Sequence, residues 1–262
     1  MLESWQSQVI TGRTSVVRAE TGLSLKPIGF IQSCYKEKFG IPRQPGLVTA
    51  AQAQLQLLPE FSQVAAFKGL EQFSHLWLIF CFHANPSLAW SNTVRPPRLG
   101  GNKRLGVFAT RSTFRPNPLG LSVARLEKLE FIGQQACLHL SAVDLLDGTP
   151  VFDIKPYLPY ADSLPAAQGG FAEQAPSSQW VVNFTEEAHL QCQQKSQQLQ
   201  TNLELLIRQI LEQDPRPSYR AQQEDARIYA MKLYDFDLRW HYKARCIEVL
   251  GLVDLFESQA TN

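Results

Sequence analysis

Ser-Val-Ala-Arg-Leu-Glu-Lys-Leu-Glu-Phe (residues 122–131) and Ala-Cys-Leu-His-Leu-Ser-Ala-Val-Asp-Leu-Leu (residues 136–146), with Gly133 between them, decide how this chain is read. Apolar and polar residues alternate in both runs, the period of a strand with one face buried. Two such runs around a glycine-bearing turn predict a β-hairpin. Asp147-Gly148 follows at once and predicts a tight turn. Outward from the hairpin, residues 25–32 read as a short strand. Residues 73–83 read as a buried, aromatic-rich strand, with a helix at its beginning as the competitor, and 105–109 are strand-like. Residues 35–46, 84–102 and 110–120 carry prolines and glycines and read as loops. Pro156 and Pro159 predict irregular backbone over 153–160.

The chain changes character after about residue 160. An extension (1–24) precedes a strand-rich domain (25–162). A linker rich in Ala, Gln, Pro, Gly and Ser (163–184) leads to a C-terminal α+β domain (185–262). Thr185-Glu186-Glu187 has the form of a helix start, a capping threonine with acids in the first turn. Helix formers continue to Gln213, and Leu203, Leu206, Ile207, Ile210 and Leu211 share one face. Asp214-Pro215-Arg216-Pro217 ends it. Residues 227–242 read as a hairpin, because Phe236, Leu238, Trp240 and Tyr242 alternate with polar residues. The fold class expected is mainly β with a smaller α+β part.

The 262 residues are 44% hydrophobic and 19% charged, an ordinary globular composition. Five scattered cysteines form no C-x-x-C pair, and the first residues do not read as a signal peptide, so a reducing cytoplasm is expected. The longest apolar run is too short for a bilayer. The five histidines lack metal-ligand spacing, so no metal is expected. No G-x-G-x-x-G, G-x-x-x-x-G-K-[ST] or G-x-S-x-G occurs, which argues against ordinary nucleotide folds and serine hydrolases. The net charge of +1 conceals an asymmetry: no acidic residue lies between Glu71 and Glu127. That stretch holds Arg95, Arg98, Lys103, Arg104, Arg111, Arg115 and Arg125, with Trp90, Phe108 and Phe114 among them. Positive charge with interleaved aromatics suits a polyanion with stackable bases. Pairing with acids elsewhere in the chain, or binding of a nucleotide-like cofactor, would use the same charges.

Five further segments carry a resemblance. They are Tyr35-Lys36-Glu37-Lys38-Phe39 with Pro42-Arg43-Gln44-Pro45-Gly46-Leu47; Phe73-Ser74-His75-Leu76-Trp77; Arg95-Pro96-Pro97-Arg98-Leu99-Gly100-Gly101-Asn102; Gly106-Val107-Phe108-Ala109-Thr110-Arg111-Ser112 with Phe114-Arg115-Pro116-Asn117-Pro118-Leu119-Gly120; and Asp147-Gly148-Thr149-Pro150 with Asp153-Ile154-Lys155-Pro156-Tyr157. In this order and spacing, from about residue 25 to 160, the chain resembles the TsaA/TrmO family. Asp214-Pro215-Arg216-Pro217-Ser218-Tyr219-Arg220 and residues 234–240 resemble the C-terminal domain of its longer bacterial members. The resemblance implies a single-sheeted β-barrel and a homodimer. It implies a tRNA methyltransferase that uses S-adenosylmethionine. The acceptor it implies is the exocyclic nitrogen of threonylcarbamoyladenosine, beside the anticodon.

Carried over residue by residue, the cofactor site is Pro42, Arg43, Gln44, His83, Ala84, Arg111, Leu121, Leu145, Leu146, Asp147 and Gly148. Arg43 or Arg111 could hold the methionine carboxylate, or each could be half of a structural Arg–Asp pair. Gln44 and the backbone around Leu146 could read adenine edges, and Leu121 could wall the ring. Asp147 contacts the donor or orients its turn, and Gly148 supplies a positive φ. His83 is a weak catalytic candidate beside Asp147 and Tyr157; a histidine at a strand end is also a common structural residue. Arg95, Arg98, Lys103, Arg104, Arg115 and Lys155 are candidates for RNA contact, with Tyr157 and Lys155 alternatively packing and solvating a proline-constrained loop. Trp240, Tyr242, Arg216 and Arg220 could extend the RNA surface or support a dimer. A non-catalytic RNA-binding barrel is the competing function, although it would have no use for a donor pocket.

Overall fold

The computed structural model describes residues 24–85, 89–176, 180–216, 227–243 and 246–255. Eight strands lie in the first part: β1 (Gly29–Ser33), β2 (Gln52–Leu57), β3 (His75–Cys81), β4 (Thr93–Val94), β5 (Leu105–Gly106), β6 (Leu119–Ile132), β7 (Gln135–Ser141) and β8 (Pro150–Pro156). Six of them close an antiparallel barrel in the order β1-β2-β7-β6-β3-β8. The hairpin read from alternation is β6–β7. β6 is long enough to serve two neighbours: Leu119–Arg125 pairs with β3 and Arg125–Ile132 with β7. A register shift between Leu126 and Lys128 bends it between them. Inward residues fill the interior, among them Ile31, Leu55, Leu76, Leu78, Ala124, Leu138, Leu140 and Val151.

Several boundaries differ from the sequence reading. β2 was not foreseen. The first strand begins at Gly29, two residues past Pro27. Residues 153–156, expected to be irregular, are the second half of a strand, 150–156, because Pro150 and Pro156 occupy its first and last positions. A missing N–H is tolerated at strand ends. Only Leu105–Gly106 of the strand-like run 105–109 is extended; Val107–Ala109 is a 3-10 turn.

After the short helix α1 (Pro159–Asp162), the second part contains β9 (Val181–Phe184), α2 (Glu186–Leu199), α3 (Leu203–Glu212), β10 (Ile228–Leu233), β11 (Phe236–Lys243) and β12 (Cys246–Asp254). The last residues expected as linker, 181–184, are therefore a strand, held by parallel pairing with β12. The expected hairpin is part of a four-stranded sheet, β10-β11-β12-β9. The expected single helix is two, because Gln200 takes φ 51° and Asn202 caps α3. Thr185 caps α2, its hydroxyl accepting from the Ala188 N–H. Arg220 and the extension 1–23 lie outside the described residues.

The two parts are fastened together along residues 34–50. Tyr234 N–H donates to the Cys34 carbonyl at 2.9 Å. Tyr35 bridges Leu233, and Lys232 N–H donates to Glu37. The Gln209 amide accepts from Ala50 N–H and donates to Thr49, both at 2.9 Å. Phe39 stacks on Trp240 with centroids 5.9 Å apart.

Candidate active site

The turn after β7 is welded to the end of β1. Asp147 N–H donates to the Tyr35 carbonyl and Gly148 N–H to that of Ile31. Ser33 hydroxyl donates to the Leu145 carbonyl, and Thr149 donates twice to that of Leu146. The Asp147 carboxylate accepts from Ser33 N–H at 2.9 Å and pairs with Lys36 at 2.8 Å. Its bonds orient the turn, as the structural alternative held, but through long-range partners. Gly148 has φ 75° and is exposed, and a Cβ there would lie 3.9 Å from His83 Nε2. A bare backbone surface bordered by an imidazole is thus open to a ligand.

Other loops converge on this turn. Gly46 N–H donates to the Ala142 carbonyl at 3.0 Å, so residues 41–46 sit against it, with Pro42 buried. Arg111 donates to the Gln44 side-chain oxygen. Asn85 accepts from Lys38 and donates to the Thr113 carbonyl, joining residues 83–85 to two further loops. Pro42, Arg43, Gln44, His83, Ala84, Arg111 and Leu145–Gly148 therefore belong to one loop cluster. Leu121 stands beside β3 opposite Ile79, 57% exposed, an apolar face at the margin.

Neither Arg43 nor Arg111 is in a salt bridge among the described residues. Arg43 is exposed at the surface yet hemmed in, so that desolvation lowers its pKa while Asp214 opposes the shift. A carboxylate that the sequence reading passed over also belongs here. Asp144 accepts from the buried Ser122 hydroxyl at 2.5 Å; burial raises its pKa, with Ser122, its own backbone N–H and then Arg111 opposing. The signal available was an acid embedded in the apolar run Val143–Leu146.

Two proposed residues lie elsewhere. Gly148 and Tyr157 flank opposite ends of β8, and His83 and His75 lie at opposite ends of β3, two strands that are each about 20 Å long at strand rise. Tyr157 packs on Trp77 and His75, and Lys155 pairs with Asp153 at 2.8 Å. Their packing and solvation alternatives match this placement.

Residues 89–118 form an arm built on the β4–β5 pair. Arg95, Arg98, Lys103 and Arg104 are exposed on it. Arg98 donates to the Gln174 carbonyl, Arg104 to Thr93, and Arg115 to the carbonyls of Val107 and Thr110. Among the described residues none of these cations has a carboxylate partner within 4 Å. The cysteines are free thiols, and burial pushes Cys34 and Cys192 up to about 12, outside nucleophile range. No His/Cys/Asp/Glu group suited to a metal occurs among the described residues, and no helix there is long and apolar enough to cross a membrane.

Comparison with known proteins agrees with this architecture. Residues 30–163 match the model of the tRNA-methyltransferase O N-terminal domain and 177–255 that of the TrmO C-terminal domain. The chain is 48% identical over 232 residues to the tRNA (adenine(37)-N6)-methyltransferase of Escherichia coli, covering 88% of this chain and 98% of that protein. It is 52% identical over 232 residues to a Pseudomonas aeruginosa protein described as the S-adenosylmethionine-dependent methyltransferase RcsF, covering 87% and 98%. The crystal structure of TrmO from P. aeruginosa superposes with a TM-score of 0.75 at 44% identity, over 89% of this chain and 99% of that one. The chain belongs to the TrmO family of tRNA methyltransferases.

Proposed function

We propose that this protein transfers a methyl group from S-adenosylmethionine to the exocyclic nitrogen of threonylcarbamoyladenosine, beside the anticodon of tRNA. The reaction class and the donor follow from family membership and from the relatives' names. The observation that carries the reading is the loop cluster. Residues 36–46, 83–85, 110–113 and 142–148 are tied by the Arg111–Gln44, Gly46–Ala142, Lys36–Asp147, Lys38–Asn85 and Asn85–Thr113 contacts, and among the described residues neither Arg43 nor Arg111 has a carboxylate in salt-bridge range.

The cluster fits the donor's chemistry. Arg43 and Arg111 suit a carboxylate, Asp144 suits a cationic group, Gly148 allows close backbone approach, and Leu121 offers an apolar wall. When bound, S-adenosylmethionine supplies the electrophilic methyl group. The protein's residues hold donor and acceptor in line and keep water away, which is most of what such a displacement needs. The carbamoyl group on the acceptor nitrogen makes its proton more acidic, so a strong base is unnecessary. On this reading His83, exposed at the rim, takes that proton. We further propose a cytoplasmic homodimer, its mass readable by light scattering.

The test is methyl transfer from labelled donor to tRNA carrying the threonylcarbamoyl group and to matched tRNA lacking it. Transfer to the modified tRNA alone is expected. Equal transfer to both would remove the threonylcarbamoyl requirement. Binding without transfer to either would leave a non-catalytic RNA-binding barrel.

A further inference from the structure

The arm exposes aromatic surface that methyl transfer itself leaves without a task. Trp90 is 51% and Phe108 73% exposed, and their rings stack with centroids 6.5 Å apart at 26°. Phe114 is 41% exposed, and the Arg115 guanidinium lies 5.8 Å from the Phe108 centroid. Large aromatics grouped in solvent mark an interaction site.

The platform is held from behind. Ser91 N–H donates to the Phe114 carbonyl at 3.2 Å and Val107 N–H to the Asn92 carbonyl at 3.0 Å. Arg115 clamps the carbonyls of Val107 and Thr110. The rings thus stand on fixed backbone, and little ordering entropy is lost when something stacks on them. Around them Arg95, Arg98, Lys103 and Arg104 form a positive field, and residues 72–126 contain no acid to balance it. Charge of one sign selects a polyanion, and flat rings select one with flat groups. A second copy of this chain meeting arm to arm would bring like charges together, which is unfavourable.

We infer that the Trp90–Phe108 platform takes an unstacked base from a single-stranded loop of the RNA substrate, with the surrounding cations on its flanking phosphates. This rests on the tRNA methyltransferase reading and specifies how that substrate is gripped.

The test uses full-length protein and an anticodon stem-loop with 2-aminopurine in the loop, titrated at several salt concentrations. Three variants are compared with wild type: Trp90→Ala/Phe108→Ala, Trp90→Phe/Phe108→Tyr and Lys103→Ala/Arg104→Ala. Losing base stacking of about 1–3 kcal/mol corresponds to roughly 5–150-fold weaker binding. That loss is expected in the alanine pair, together with lost 2-aminopurine quenching and an unchanged salt slope. The conservative aromatic pair retains both. The charge variant shows a flatter salt slope. Wild-type affinity and quenching in the alanine pair would overturn the inference, as would conversion of a dimer to a monomer with RNA affinity intact. Methylation of modified tRNA by wild type, run in parallel, separates the two readings. If it fails while the stacking pattern holds, the reaction falls and the platform stands.

Discussion

At the scale of single residues, Asp144 carries a cost that pH exposes. Burial raises its folded-state pKa above the unfolded value, so the stability it contributes is fully present below the unfolded value and is lost as pH rises through the folded one. The carboxylate is held with the Ser122 hydroxyl as its hydrogen-bond donor. Asp144→Asn keeps the shape and the acceptor for Ser122 and removes the charge. The variant is therefore expected to be more stable than wild type in urea at pH 7.5, with the difference shrinking toward pH 4. If the charge serves the donor's cationic group, donor affinity falls in the same variant. Such a trade of stability for function is common at sites. A variant less stable than wild type at both pH values would reject this account.

At the scale of elements, β3 and β6 come close together at Phe80 and Gly120. These residues face each other in register, and a Cβ on Gly120 would stand 2.2 Å from the Phe80 ring. The glycine is needed there for approach, since its φ is not among the positive values. Gly120→Ala is expected to destabilise by about 1–3 kcal/mol through overpacking. Adding Phe80→Leu should recover part of the loss, a coupling that a double-mutant cycle in denaturant measures. Independent, additive losses would show that the contact is not the cause. Leu119 and Leu121, on the same strand segment, put apolar surface into solvent beside the loop cluster, so this stretch of β6 serves both the β3 pairing and the site's margin.

At the scale of the whole molecule, the C-terminal part braces the loop that carries Arg43 and Gln44. Gln209 bonds Thr49 and Ala50, Phe39 stacks on Trp240, and Asp214 lies close enough to Arg43 to oppose its lowered pKa. Asp214 itself is fixed by Arg216 at 2.8 Å and by the Tyr242 hydroxyl at 2.9 Å. Gln209→Ala is expected to cost roughly 1 kcal/mol of stability for its lost hydrogen bonds. It should also raise the donor KM several-fold while RNA affinity stays put. Unchanged donor KM with reduced stability would make the contact structural only.

The sequence by itself determined the strand-rich first part, the β6–β7 hairpin, the amphipathic face of α3 and the acid-free basic arm. Each is a property of neighbours along the chain: period two, period 3.6, or charge. Family motifs added candidate cofactor positions. The resemblance implied the barrel, but only the tertiary structure decided the order in which its strands close and the parallel pairing of β9 with β12. It also decided which polar residues converge, bringing Asp144 into the loop cluster while leaving Tyr157 at the far end of β8. The physical reason is that strand partners and loop packing depend on contacts between residues distant in the chain. Ser122 with Asp144 and Gln209 with Ala50 are such contacts, and no local pattern encodes them.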